Sequence, residues 1–291
     1  MRLDFCLSSF AGMADFPGAP RAASLYADLH AAGFAGVQAH SMAGVREAGL
    51  AGTGFAMVAA AAAIDGIARA HRDEGFECTT LVCGNGLEDN TEAARFAAAI
   101  LEAGTRHGYR LLLETHRASV TQDIRRTLDL IARFPELRFT GDFSHWYVGH
   151  ELALGDFAAR LDALQPLIER TGIVEGRIGS CNQAQLALEG ADDPRHFVAH
   201  HRAFWTRCFA AMIAAGREPV FMPQLLPAVI HADGVDWPIG YAATARGADG
   251  RWHETSDRWE QSLLLCRIAQ DCECAARAQL DTTTTAPRNP A

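Results

Sequence analysis

Short apolar runs recur along the chain, each followed by a polar turn and then by a stretch whose apolar residues fall at helical spacing. The runs Leu3 to Ser8, Gly36 to Ala39, Thr79 to Cys83, Arg110 to Glu114, Arg138 to Asp142, Gly172 to Ile178 and Pro219 to Met222 read as strands. Between them, Leu25 and Leu29 mark a helical face closed by Gly33. Ser119 and Gln122 have capping-box spacing ahead of Ile124, Leu128 and Ile131, and Asp193-Pro194 opens a helix that Gly216 closes. Strands alternating with helices imply a parallel sheet. The expected architecture is α/β, a single (β/α)8-type TIM barrel over residues 1–280. An eighth strand is sought around Ile239 to Ala243, failing which the barrel is irregular. A doubly wound open sheet would give the same alternation, but no Gly-rich fingerprint follows the first strand. Residues 281–291 are rich in Thr, Pro and Asn and read as a disordered tail.

Composition narrows the class. The 291 residues suit one large domain, and the net charge of -9 argues against a nucleic-acid partner. The start MRLDFCLSSF has no apolar signal core, and the longest apolar stretch, Phe55 to Ile64, is mostly Ala and too short to span a bilayer. The eight cysteines form no CxxC pair and read as reduced thiols, with Cys272 and Cys274 as two positions on a helix. A cytoplasmic enzyme with a small-molecule substrate and no membrane partner is expected, with a homodimer as the assembly to test.

Polar groups gather where the strands end. Leu111-Leu112-Leu113 runs into Glu114, Thr115, His116 and Arg117; Arg138-Phe-Thr-Gly runs into Asp142, Phe143, Ser144, His145 and Trp146. Ile173-Val174 runs into Glu175, Gly176 and Arg177, and Val220-Phe221-Met222-Pro223 into Gln224. In a barrel these ends converge on the catalytic face, where Asp, Glu and His make a site for a hard cation. Each has a structural alternative: Asp142 as a helix N-cap, Glu114 as the salt-bridge partner of Arg117 or Arg177, and Arg177 as the partner of Glu175 two residues away. His40 ends its run and is a substrate-contact candidate, as are Arg117 and Arg177, since guanidinium matches carboxylate and phosphate. Trp146 and Trp205 read as packing residues, and His196, His200 and His201 as surface or core positions of a helix. Gly84-Asn85-Gly86 is a rim loop without the Lys-Ser/Thr of a phosphate cradle. His231 and Asp233 follow the Gln224 strand and could reach the rim.

The segments LLLETHR, TGDFSHW, GRIGS with Gln185, HRAFW and PVFMPQLLP resemble the xylose-isomerase-like barrels, the sugar phosphate isomerase/epimerase group that also includes endonuclease-type barrels. The resemblance covers residues 105–230 well and the N-terminal strands loosely. It implies one divalent ion held by a Glu, an Asp, a His and a second Glu from successive strands. The first Glu falls on Glu114, the Asp on Asp142, and the His at Asp-x-x-His spacing on His145; Gln185 falls among the substrate contacts. Two positions depart from the pattern. Where the branch reads His-x-His-x-Arg this chain has Glu175 in place of a His ligand, and where it reads Pro-Glu-x-Gly-Pro the second Glu is Gln224.

The implied ligand set is therefore Glu114, Asp142, Glu175 and the Gln224 carbonyl, for Mn, Mg, Co, Zn or Fe. In these epimerases two Glu residues act as paired bases on either face of a carbon next to a carbonyl. Gln224 cannot take a proton, so a one-base reaction is expected, with Glu114 abstracting and His145 or His116 returning a proton or assisting a leaving hydroxyl. The implied function is a metal-dependent isomerase, epimerase or dehydratase acting on a small polyhydroxy or hydroxy-keto compound. The alternatives are a diverged member, either a tailoring enzyme of secondary metabolism or a metal-free binding protein, and, far behind, phosphodiester cleavage.

Overall fold

A computed structural model describes residues 1–13, 16–232 and 235–285. Its eight parallel strands are β1 (Arg2–Cys6), β2 (Gly36–Ala39), β3 (Ala51–Val58), β4 (Cys78–Cys83), β5 (Arg110–Glu114), β6 (Phe139–Gly141), β7 (Thr171–Gly176) and β8 (Val220–Pro223). Each pairs with the next, and β8 pairs back to β1 through Arg2↔Val220 and Leu3↔Phe221, closing the barrel. The seven strands read from the sequence are all present, with boundaries within two residues of those expected.

The eighth strand is not at Ile239 to Ala243, which lie outside any strand; it is Ala51–Val58, third in order. Two causes hid it. Residues 40–50 turn without forming a helix, so the strand–helix rhythm breaks there. The strand is also glycine-rich for a packing reason: a Cβ at Gly52 would collide with the Met42 sulfur, and one at Gly54 with the His71 imidazole and the Thr79 hydroxyl. Such glycines erase the apolar signal that marks a strand. The barrel is irregular at one place, between β6 and β7, where the pairing steps from Phe139↔Thr171 to Thr140↔Ile173 and leaves Gly172 as an extra residue.

The helices are α1 (Leu25–Ala31), α2 (Ile64–Glu74), α3 (Asn90–His107), α4 (Ile124–Arg133), α5 (Phe143–Gly149), α6 (Phe157–Ala163), α7 (Gln165–Ile168), α8 (His196–Ala214) and α9 (Arg258–Thr285). Two starts differ from expectation. The N-cap of α4 is Asp123, whose carboxylate accepts from Arg126 N at 2.7 Å, while the Ser119 hydroxyl instead donates to His116 O at 2.6 Å within the rim loop. Helix α8 begins after Arg195; Asp193 accepts from Arg195 N at 3.1 Å and Pro194 lies outside the helix. Helix α9 is described to Thr285, which covers the first residues of the stretch whose composition suggests a tail; 286–291 lie outside the described residues.

Between β8 and α9 the chain makes two antiparallel hairpins, β9 (Val229–Ala232) with β10 (Val235–Pro238) and β11 (Thr244–Arg246) with β12 (Trp252–Glu254). They are moored by Arg258, a buried guanidinium that donates to Glu254 Oε2 at 2.6 Å, to Leu225 O at 3.3 Å and to Ala11 O at 2.5 Å, and also to Ser9 O. Among the described residues no helix is long and apolar enough to cross a membrane. All eight cysteines are free, seven of them buried or half-buried and Cys274 exposed.

Candidate active site

Side chains alternate across a strand, so every second residue faces the barrel interior. Cys6, Cys78, Leu112, Ile173 and Met222 form a small apolar cluster there. Two residues further along the same faces come Glu114 after Leu112, Glu175 after Ile173 and Gln224 after Met222, with Arg177 two beyond Glu175. Strand alternation thus places a polar layer directly above an apolar plug at the C-terminal rim. Glu114, Asp142, Glu175 and Arg177 are all at most 2% exposed, so their charges must be compensated within the protein.

Arg177 is the hub. Its Nε donates to Ser144 Oγ at 3.1 Å, and its Nη2 donates to Gln224 Oε1 at 2.7 Å and to Asp142 Oδ2. The same Nη2 lies 3.1 Å from His145 Nε2. Asp142 is also the N-cap of α5: its Oδ1 accepts from Ser144 N at 2.9 Å and from Ser144 Oγ at 2.6 Å. The structural reading of Asp142, a helix N-cap, therefore holds, and the same residue sits in the buried charge cluster. Arg177 pairs with Asp142 rather than with Glu175, although Glu175 is the nearer in sequence.

Glu175 is held differently. Its Oε1 accepts from Gln38 Nε2 at 3.1 Å, and Gln38 Oε1 lies 3.1 Å from the Cys6 thiol that donates to it. A chain of contacts from β1 through β2 to β7 thus fixes one oxygen of Glu175 and leaves Oε2 buried without a partner. Glu114 Oε2, His116 Nδ1, His145 Nδ1 and Arg177 Nη1 are likewise buried and unpartnered. Five such groups at one rim are far above the rarity of unsatisfied buried polar atoms and point to a ligand.

The electrostatics follow from burial and from these pairings. Burial pushes the Glu175 carboxyl up to about 8, with the Asp142 charge adding and Arg177 and the Gln38 hydrogen bond opposing. Burial, then the charges of Glu175 and Asp142, raise Glu114 well above the usual carboxylate range. Burial would raise Asp142 too, but the Arg177 guanidinium, His145 and the Ser144 hydrogen bond together hold it well below that range. Burial lowers both His145 and His116, so their imidazoles are neutral near pH 7.

Two overlapping sets of ligand atoms result, each with all members within 4.8 Å of one another: Glu114, Asp142 and Glu175, and Glu114, His116 and His145. The rings of His116 and His145 are 4.0 Å apart. A divalent cation fits this donor chemistry, because carboxyl oxygens and neutral imidazole nitrogens without partners surround Glu114, and a bound cation would stabilise the ionised carboxylates that burial disfavours.

The remaining expected residues divide. Arg177 (4.8 Å) and Arg117 (5.3 Å) both stack on the ring of Tyr241, which the connection between the two hairpins brings to the rim. His40 is exposed at the mouth of a cleft of about 420 Å³ that Gln38, Phe55 and Tyr26 also line, so the cleft leads to the residue that orients Glu175. Gln185 is spent elsewhere: its amide donates to Leu226 O at 2.9 Å and accepts from Leu226 N at 2.8 Å, clamping the turn after β8. His201 is a core residue and His200 is bound to the Tyr147 hydroxyl at 2.8 Å. Trp146 and Trp205 are fully buried packing residues. The side chain of His231 and the whole of Asp233 lie outside the described residues. Sequence reasoning missed Gln38 and Tyr241 and gave Ser144, though named at its strand end, no role. Gln38 was within reach, since it stands two residues before His40 on the same strand face.

No family model and no curated protein sequence matches the chain. Solved structures do. A xylose isomerase-like TIM barrel protein from Mycobacterium smegmatis, in complex with magnesium, superposes with a TM-score of 0.56 at 9% identity, over 95% of this chain and 97% of its own. A sugar phosphate isomerase/epimerase from Parabacteroides distasonis gives 0.54 at 10% identity, over 94% of each chain. Endonuclease IV from Thermus thermophilus gives 0.52 at 18% identity, over 93% of this chain and 99% of its own. The fold is that of the xylose-isomerase-like TIM barrels.

Proposed function

We propose that this chain is an isomerase or lyase that removes a proton next to the carbonyl of a small polyhydroxy or hydroxy-keto substrate, with a divalent cation anchored on Glu114. The observation that carries the reading is the cluster itself: three buried carboxylates at the C-terminal rim with ligating atoms within 4.8 Å, two of them keeping an unpartnered oxygen. Glu114 would hold the cation with partners from one of its two ligand sets, and the cation when bound polarises the substrate carbonyl.

The protein's own groups supply the rest. Glu175 is the base. Gln38 fixes one of its oxygens, the other is free, and a carboxyl raised to about 8 matches a proton acceptor working near neutral pH. Glu114, the base expected from the sequence, is committed to both ligand sets. Gln224 cannot ionise and is engaged by Arg177, so one carboxylate handles the proton on one face of the substrate. Arg177 Nη1, buried and unpartnered, donates to the oxygen on which negative charge develops. Arg117 on the Tyr241 ring meets an outer polar or anionic group of the substrate.

Solvent exchange tests this directly. The purified protein is supplied with Zn2+, Co2+, Mn2+ or Mg2+ and a panel of ketoses, hydroxy-keto acids and their phosphates in D2O, and deuterium incorporation is read by NMR. The expected result is incorporation at one carbon next to a carbonyl, on one face, lost in Glu175→Gln. No incorporation across the panel, or incorporation indifferent to Glu175→Gln, overturns the reading.

A further inference from the structure

The two ligand sets are not equally available. Asp142 offers no free oxygen: Oδ1 takes two hydrogen bonds from Ser144, and Oδ2 takes the Arg177 guanidinium. Gln224 Oε1, the fourth donor on that side, also accepts from Arg177, at 2.7 Å. The all-oxygen pocket thus already holds a cation that belongs to the protein, and a second one beside it would meet like charge at close range. The other side is open. Glu114 Oε2, His116 Nδ1 and His145 Nδ1 are each buried and each without a partner, and these three residues bring one ligating atom apiece within 4.8 Å.

We infer that the divalent ion is held by Glu114, His116 and His145, a mixed nitrogen and oxygen site, while Arg177 takes the place of an ion between Asp142 and Gln224. The inference rests on the metal-assisted reading above and refines where the metal sits. One carboxylate with two imidazoles suits Zn2+ or Co2+ better than Mg2+. Three protein ligands leave a further position for a substrate oxygen. His145 lies 3.4 Å from Asp142 through Nε2, so an ion on Nδ1 would fix the tautomer with Nε2–H donated to Asp142, the carboxylate–histidine–metal arrangement that orients such ligands. Glu175, outside this set, keeps its free oxygen for the proton.

The test uses metal affinity and spectroscopy, not turnover. Equilibrium dialysis of the protein against Zn2+ and Co2+ is followed by elemental analysis for wild type, His116→Ala and Glu175→Gln. His116 is half-exposed in the rim loop, so its loss should leave the fold intact, and circular dichroism checks this. The expected result is one ion per chain, an affinity at least about 100-fold weaker in His116→Ala, and one within about 3-fold of wild type in Glu175→Gln. Proton NMR of the Co2+ form should show two strongly shifted, solvent-exchangeable imidazole N–H signals, one of them absent in His116→Ala. An ion retained in His116→Ala but lost in Glu175→Gln overturns this placement and leaves the metal-assisted reading standing. A wild-type protein that binds neither ion stoichiometrically overturns both.

Discussion

Gln38 reaches across the barrel from β2 to donate to Glu175 Oε1 at 3.1 Å, and in doing so leaves Glu175 Oε2 as a buried carboxyl oxygen with no partner. The hydrogen bond both orients the group and stabilises its anion. Replacing Glu175 by Gln should lower turnover by about 10²- to 10⁴-fold, the usual contribution of a positioned base. Gln38→Ala should cost less but move the pH profile. Without the donor, the carboxyl of Glu175 rises above about 8, so the limb that requires its ionised form shifts to higher pH. A pH–rate profile of kcat/KM checks this, and an unchanged limb removes Gln38 from the role of orienting Glu175.

Arg177 and Asp142 form an ion pair that is essentially fully buried. Breaking one side of such a pair leaves an uncompensated charge, so Arg177→Met should destabilise the fold by about 3–5 kcal/mol at pH 7. Arg177→Lys should not rescue it, because an ammonium cannot serve Ser144, Asp142 and Gln224 at once. The double variant Arg177→Met/Asp142→Asn should recover part of the loss. Urea denaturation of wild type, Arg177→Met, Asp142→Asn and the double variant measures the coupling; additive single effects would show that the pair is not a unit.

His201 sits fully buried in α8 with Nδ1 2.9 Å from Phe197 O, a carbonyl that can only accept, so Nδ1 carries the proton and Nε2 is a lone pair without a partner. Burial pushes its imidazole down to about 4. The unfolded chain binds the proton near the ordinary value of about 6.5. Between the two the unfolded state holds more protons, so this stabilisation is present in full above the unfolded value and is lost as pH falls towards the folded one. The amount at stake is about 3 kcal/mol. Denaturant midpoints measured across that window should fall with pH in wild type and fall less in His201→Gln.

Gly54→Ala should destabilise by about 1–3 kcal/mol, because the new methyl meets the His71 imidazole and the Thr79 hydroxyl, which are bonded to each other at 2.8 Å. Thermal unfolding checks the size. His71→Ala in the same background should relieve part of it by clearing the space.

What could be read from the sequence follows from how local each signal is. Glu114, Asp142 and Glu175 lie at or next to the C-terminal ends of apolar strands, and the strand pattern alone brings them to one rim. The strand Ala51–Val58 was invisible because its glycines serve neighbours 10 or more positions away, Met42 and His71 among them, which no window of the strand reveals. The choice of partner for Arg177 was equally hidden. Sequence proximity favours Glu175, whereas the side chain turns to Asp142 and Ser144 on the adjacent strand end. Tyr241 reaches the rim only because two hairpins after β8 carry it there, and nothing in its own segment signals that.

Arg258 joins the first strand of the barrel to the last. Its guanidinium binds the carbonyls of Ser9 and Ala11 just after β1 and that of Leu225 just after β8, the two strands that meet at the seam of the barrel. A nascent chain that has emerged only through β8 has all eight strands yet lacks this rivet, and its seam rests on a short β1–β8 register. Until α9 clears the ribosome the sheet can stand open with two unpaired edges, each able to recruit another strand. The vulnerable interval in the folding of this barrel therefore follows the making of β8, and it closes with the arrival of one arginine.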